Sequence, residues 1–428
     1  MKTEEHIINE SPEISIGENI SLLKKIFKAF PAFNHHNYRL WFSGQLISVI
    51  GNWMQMIATG WLVLELTNSP FWVGAISALG SLPILIFSLF SGVISDRFPK
   101  RKVLFIELTG AMILAFLLGF LILTHTVNIY FVAIISLLLG ILISIDNPVR
   151  QAFTVDIVGR ESLSSAIALN SAMFNGARVL GPTIAGFLIS AVGLAGAFIG
   201  NGISYIAVLA ALFFMKVKST VHPIQNHPIT AIKEGISYAY SHKIISILLL
   251  HAGACSIFGW SYATILPVIV KNIFHLNAAG LGFFNAASGV GALVGVFIVT
   301  LFSKKVRPLV FILIGNILLV VSLILFSITT QVYPALFFLF LIGLGLILQM
   351  VIINTTIQHQ VADHLRGRVL SLFSLMFLGM TPFGSFQIGY LAEHLGSPMS
   401  LRINAILILL FGLFLYFKRK ELLKIPAN

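Results

Sequence analysis

The chain has 428 residues, 57% of them hydrophobic and 10% charged, with a mean hydropathy of +0.95. An ordinary water-soluble domain, with about a quarter of its residues charged, is excluded. The net charge of +12 would suggest nucleic acid in a soluble protein, but here it follows membrane topology, so no nucleic-acid partner is expected. The single cysteine, Cys255, excludes an intramolecular disulfide.

Taken from the N-terminus, no basic n-region followed by an apolar h-region is present, so no cleaved signal peptide is expected. Residues 1 to about 14 are acidic and read as disordered. Within 15–33, Ile20, Leu23, Ile26, Phe27 and Phe30 fall at helical spacing beside Lys24, Lys25 and Lys28, which predicts a basic amphipathic helix on the inner leaflet. Twelve apolar runs follow, at 40–66, 70–95, 103–124, 129–149, 163–190, 194–215, 244–270, 279–302, 309–329, 333–356, 369–394 and 400–417. Each is long enough to cross a hydrocarbon core of about 30 Å as helix. Lys and Arg gather before the first run, in every second gap and after the last. This is the positive-inside pattern of a chain with both ends in the cytoplasm. The connection 216–243 carries His222-Pro223 and His227-Pro228, then Ile232, Ile236, Ala239 and Tyr240 on one stripe, and reads as a linker followed by a surface helix.

The expected division is a cytoplasmic segment (1–38), a six-helix bundle (39–215), a cytoplasmic linker (216–243), a second six-helix bundle (244–418) and a cytoplasmic tail (419–428). The two bundles repeat. At an offset of about 208, Ser48, Gly51 and Gly74 match Ser256, Gly259 and Gly282; at about 203, Gly176, Gly181, Gly186 and Asn201 match Gly379, Gly384, Gly389 and Asn404. The expected fold class is therefore an all-α membrane protein with twelve transmembrane helices in two pseudo-symmetric six-helix bundles. This is the major facilitator architecture, in which a small-molecule substrate sits between halves that rock against each other. A bacterial inner-membrane location in the lipid bilayer and a monomeric state are expected.

Two motifs carry chemistry. Between the second and third spans lies Gly92-x-x-x-Asp96-Arg97-x-x-Lys100-Arg101. Gly92 lets helices approach closely, Asp96 can cap a helix N-terminus, and Arg97 can reach a carboxylate on the other half. Together they read as a gating latch with Asp146 as partner of Arg97, since breaking such a pair is a natural switch. The matching loop of the second half, Ser303–Pro308, keeps the bases and lacks the acid. The fifth span carries Gly176, Gly181, Pro182 and Gly186, a helix-packing motif, and with it Arg178 at mid-depth. Arg178 reads either as a substrate or coupling residue or as a hydrogen-bonded strut; its counterpart in the repeat is Thr381. Further substrate or coupling candidates are polar or aromatic residues at mid-depth: Asn52, Trp53, Gln55, Asn170, Asn175, Trp260, Tyr262, Asn285, Gln349 and Asn354, with His251 as a proton candidate. Glu107, one turn inside the third span, reads either as part of a charge network with Asp96 and Arg97 or as a static salt bridge near the headgroups. No metal site, cofactor site or enzyme motif is present in the sequence.

The loop motif and the fifth-span motif resemble those of major facilitator exporters. Tyr38-Arg-Leu-Trp-Phe-Ser-Gly-Gln45, Trp53-Met-Gln55, Leu66-Thr-Asn-Ser-Pro70, Asn147-Pro-Val-Arg-Gln-Ala152 and Asp363-His-Leu-Arg-Gly-Arg-Val369 are similar to the enterobactin-exporter and transmembrane secretion-effector branch, over about residues 38–395. The resemblance implies proton-gradient-driven efflux (antiport) of siderophores or drugs. Many drug–proton antiporters carry an Arg in the fourth span; Ser136–Ser144 here has none, so proton coupling rests on resemblance. A lipid or lysolipid flippase, an importer, and a non-transporting receptor or scaffold remain open alternatives.

Overall fold

A computed structural model describes residues 30–217 and 228–422, without the side chains of 88–97, 228–233, 363–364 and 422. The amphipathic helix expected at 15–33 therefore lies almost wholly outside the described residues; its last part, Pro31–Asn34, is a 3₁₀ turn. The first half comprises α1 (His36–Thr67), α2 (Pro70–Arg97), α3 (Lys100–Leu123) and α4 (Ile129–Val158), then a helical stretch Leu163–Phe214 that Gly193 breaks into α5 (163–192) and α6 (194–214). A surface helix, α7 (Pro228–Ser241), precedes the second half. There the seventh span is α8 (Lys243–Ala254), a π turn at Cys255–Gly259, and α9 (Tyr262–Asn272). Next come α10 (Ala278–Phe302), α11 (Pro308–Ile328) and α12 (Val332–Gln360). The eleventh span is α13 (Asp363–Phe377) and α14 (Thr381–Leu395); α15 (Ser397–Phe417) and α16 (Arg419–Leu422) end the described chain.

The structure departs most from the sequence expectation in the fourth, seventh and eleventh spans. The fourth span does not stop at 149 but runs as helix to Val158, carrying Lys100's partner Asp156. The seventh and eleventh spans are each interrupted where an unbroken run was expected. A π turn opens the helix ladder by one residue, and such turns collect at functional positions; here it presents Trp260.

The turns repeat as the helices do. Gly193 (φ 79°) and Gly396 (φ 81°) end the fifth and eleventh spans in the left-handed region, where a Cβ is disfavoured, and Asn68 and His275 do so after the first and seventh. The helix crossings repeat too. Gly389 on α14 sits against the Gly74 Cα of α2, 2.7 Å from where its own Cβ would be, and Gly282 on α10 sits against Gly186 and Pro182 of α5. These are the two contacts the repeat maps onto each other. Small residues at these points let backbones meet without side chains between them.

The halves are joined unequally along the membrane normal. On the side away from the linker, the far side, one apolar core includes Trp61, Leu118 and Phe198 of the first half and Leu266, Phe284 and Phe326 of the second. On the linker side the cores are separate. One belongs to the first half, around Trp41, Phe153 and Leu212; the other to the second, around Ile245, Ile353 and Phe373. Among the described residues, one apolar core joins the halves on the far side, and no common apolar core joins them on the linker side. α7 packs on α13, where Glu234 and Arg368 form an ion pair.

Candidate functional site: the interface between the halves

The far-side closure is polar at its rim. Glu393 Oε2, on α14, accepts hydrogen bonds from Ser69 Oγ at 2.7 Å and from the Phe71 N–H at 3.0 Å. A carboxylate of one half thereby caps the N-terminus of α2 in the other, where orphan N–H groups and the helix dipole favour an anion. Deeper, Ser77 Oγ donates to Ser385 Oγ at 3.2 Å, and Thr264 reaches the same hydroxyl at 2.9 Å. Ser69-Pro70 reads from sequence as a helix start; its acidic partner, 324 residues away, carries no local signal.

Arg178 lies where the closed end gives way to the open one. On its own helix, a Cβ on Gly181 would meet Trp53 Cβ at 2.4 Å, and one on Gly186 would meet the Ala278 carbonyl at 2.7 Å. A Cβ on Gly176 would meet nothing within 4 Å. Gly181, Pro182 and Gly186 are thus packing residues as expected, whereas Gly176 lies on a side of α5 that no neighbour approaches, the opposite side being packed through Met173 and Ala177. Between them, the half-buried Arg178 guanidinium stacks across the interface on Trp260, 4.5 Å from the ring centroid. Trp260 in turn meets Phe377 edge-on at 5.4 Å. No hydrogen bond or ion pair joins Arg178 to any described residue. The hydrogen-bonded strut is therefore not what the structure shows. A bare cation at mid-membrane costs at least about 2.5–3.5 kcal/mol, and stacking on an aromatic returns about 0.5–2 kcal/mol.

A second polar centre is built inside the first half. Arg150 grips Asp146 on α4 through Nε (3.2 Å to Oδ1) and Nη2 (to Oδ2), both residues being buried. The side chains of Arg97, the expected partner of Asp146, and of Asp96 lie outside what the structure describes, as do the surroundings of Gly92. The signal for the observed pair was the i,i+4 spacing on one helix. Glu107 on α3 is 5% exposed and feels the charges of both Asp146 and Arg150. Its Oε2 and the Arg150 Nη1 are buried without a hydrogen-bond partner. Glu107 is thus not the headgroup-level salt bridge expected from sequence; it is a sequestered acid beside an ion pair that is already complete. Among the described residues, two buried carboxyls beside one guanidinium leave one surplus negative charge, which a bound proton would remove. Tyr205 on α6 lies in the same electrostatic environment and donates to Asn52 Oδ1 at 2.5 Å. Asn201 donates to Gln55 Oε1 at 2.7 Å and Ser204 to Asn201 Oδ1 at 2.8 Å.

The other candidates separate into liners and interior residues. Asn52, Trp53, Asn170, Asn175, Trp260, Asn285 and Asn354 are half-buried, and the amides of Asn175, Asn285 and Asn354 bond only within their own helices. Gln55, His251, Gln349 and Tyr262 are buried and engaged within their own half. His251 Nε2 and Gln349 Oε1 are 2.7 Å apart, with Cys255 Sγ at 3.5 Å from each; Tyr262 bonds Ser288 at 2.6 Å. Gln55, Gln349 and Tyr262 are corrected from path liners to packing groups, since bonded amides and hydroxyls in the interior hold helices together, while His251, the proton candidate, keeps its Nδ1 buried without a hydrogen-bond partner among the described residues. Lys100 pairs with Asp156 at 2.8 Å, and Arg101 donates to the carbonyls of Leu212 and Phe213 at 2.8 and 3.0 Å, capping the C-terminus of α6. Both tie the loop motif to its own half. No cluster of three or more His, Cys, Asp or Glu suited to a metal occurs among the described residues.

Comparison with known proteins agrees with this architecture. A family model described as transmembrane secretion effector matches residues 28–425. The chain is 24% identical over 393 residues to a staphyloferrin A transporter of Staphylococcus aureus, covering 90% of this chain and 96% of that one. It is 22% identical over 406 residues to the enterobactin exporter EntS of Shigella flexneri, covering 94% of each. Among solved structures, a bacterial homologue of the human lysosomal transporter Spinster, inward-facing and unoccupied, superposes with a TM-score of 0.74 at 13% identity (90% and 96% covered). The nucleoside transporter NupG gives 0.71 at 10% identity (89% and 98%).

Proposed function

We propose an export function on a plain premise: the chain belongs to the transmembrane secretion effector family of the major facilitator superfamily, and is a multi-pass membrane transporter. The reading is that it exports an amphipathic solute of the siderophore or drug class from the bacterial cytoplasm by proton antiport. The linker and both chain ends then lie inside the cell, and the structure is the cytoplasm-facing state. The observation that carries the reading is the unequal joining of the halves: one shared core on the far side, two separate cores on the linker side. A central path closed at one end is the loading state of an alternating-access carrier. The named activities of the relatives, staphyloferrin A transport and enterobactin export, support the solute class and the direction.

The coupling site is the Glu107–Asp146–Arg150 centre. With Asp146 committed to Arg150, Glu107 is the group left to carry a proton, and its charge state alters the electrostatics of the half that must move. Inside-out membrane vesicles made acid within test this directly. Supplied with staphyloferrin A, enterobactin or a cationic dye, vesicles containing the protein accumulate at least one of them, and a protonophore abolishes the accumulation. Accumulation no greater than in vesicles lacking the protein refutes export; accumulation that ignores the protonophore refutes proton coupling.

A further inference from the structure

We infer that Arg178 and Trp260 form a subsite for the anionic group, a carboxylate or kindred oxyanion, of an amphipathic solute in the central path. The inference rests on the reading that a solute occupies this path. It starts from partners. Lys100 has Asp156, Arg150 has Asp146, Arg368 has Glu234, Arg101 has two helix-terminal carbonyls and Arg402 has the Ser327 hydroxyl. Arg178, deeper in its span than these, has an aromatic face and no acceptor among the described residues. With its central carbon over the ring and no N–H donating to a described residue, the guanidinium keeps free the fork that matches an oxyanion two bonds at a time. The ring comes from the second half and the cation from the first, so an anion held here contacts a residue of each half. Phe377, edge-on to Trp260, extends an apolar wall for the remainder of the solute. Two residues toward the N-terminus of α5, the space where a Gly176 Cβ would lie is open to 4 Å.

Equilibrium binding to the full chain in dodecyl maltoside, a detergent without charge, tests the inference. The probes are decanoate and decanol, which share a chain length and differ in charge, read by tryptophan emission; Trp260→Phe identifies the share of the signal that comes from Trp260. Wild type binds decanoate about tenfold more tightly than decanol, as two charge-assisted hydrogen bonds require. Arg178→Gln abolishes the preference by weakening decanoate, and Arg178→Lys keeps part of it. A variant-free measurement guards against misfolding: decanoate, and not decanol, shields Arg178 from phenylglyoxal, located by mass spectrometry. Equal affinity of wild type for the two probes, or a preference that survives Arg178→Gln, overturns the inference. Titration with phosphatidylglycerol separates the two sources of such an anion: an Arg178-dependent response tighter than that to decanoate assigns the subsite to lipid headgroups and overturns the solute assignment. Because binding is read without a gradient, failure of vesicle transport would defeat the export reading and leave this result intact.

Discussion

Removing the carboxylate that holds the far side shut should shift the carrier toward its other state. In Glu393→Ala, the Phe71 N–H and the Ser69 hydroxyl lose their acceptor across the halves, at 3.0 and 2.7 Å. Hydrogen bonds to charged groups are worth about 1.5–3 kcal/mol when shielded, but Glu393 is exposed and solvent screens it, so an estimate nearer 1 kcal/mol is appropriate. The loss of an N-cap is of the same size. About 1 kcal/mol favouring the opposite opening changes the ratio of the two states roughly fivefold. Cys255 is the only cysteine in the chain, so Cys255→Ala gives a clean background for a reporter. Thr264→Cys, beneath the rim where Thr264 meets Ser385, reports far-side opening through its alkylation rate with an impermeant maleimide. The expectation is a rate about fivefold higher with Glu393→Ala, and an intermediate rate with Glu393→Gln, which keeps an acceptor oxygen without the charge. An unchanged rate would show that the apolar core alone sets the closure.

Gly186→Leu should open the same side by steric means, because its Cβ would lie 2.7 Å from the Ala278 carbonyl, a backbone atom that cannot turn aside; overpacking of this kind costs about 1–3 kcal/mol. Gly389→Leu, its counterpart in the repeat, should raise reporter alkylation likewise, and a difference in sign between the two would break the symmetry argument. Glu107→Gln fixes the acid in its neutral form; solute exchange across vesicles should continue while accumulation driven by a pH gradient is lost, and equal loss of both would assign Glu107 to structure alone. His251→Leu and Gln349→Leu should each lower thermal stability by about 1–3 kcal/mol, since each leaves a buried polar partner. The double variant should cost less than the sum of the two, and strict additivity in the double-mutant cycle would show that the 2.7 Å contact carries no energy.

Twelve apolar runs, the break at Gly193 and the linker helix were legible because each has a local cause: chain length against membrane thickness, a left-handed glycine, a striped surface helix. The repeat was legible as glycine spacing, and the crossings Gly74–Gly389 and Gly186–Gly282 show why those glycines recur. What the sequence could not supply was facing. Asn52 and Gln55 share one helix, yet Asn52 is half-buried and Gln55 is engaged by Asn201. Apolar periodicity says little about which polar residue faces which neighbour when every face is apolar. Glu107 was misjudged for the same reason: its depth was readable, and its position behind a completed Asp146–Arg150 pair was not. The π turn at Cys255–Gly259, which sets Trp260 against Arg178, leaves no mark in composition.

The two halves agree in packing and differ in charge, and that difference says where the energy of a cycle can enter. Gly140 and Gly343, at the offset of about 203 seen elsewhere, pack against the backbones of α2 and α10 at Gly80 and Ser288. Six residues further on, the same register places Asp146 in the first half and Gln349 in the second. Asp146 is held by a guanidinium, and Gln349 by His251, in a pocket with no carboxylate or guanidinium partner among the described residues. An amide contact in one half can be carried through a conformational change with no change of charge. A surplus acid in the other half cannot: it needs a proton or a cation for neutrality. Proton binding at Glu107 would therefore bias the first half alone, while the glycine crossings, common to both halves, fix the axis about which either can rock. At Arg178 the half that holds the buried acid touches the aromatic wall of the other, so an anion bound there would meet both halves at once and have the differential contacts that a change of state requires.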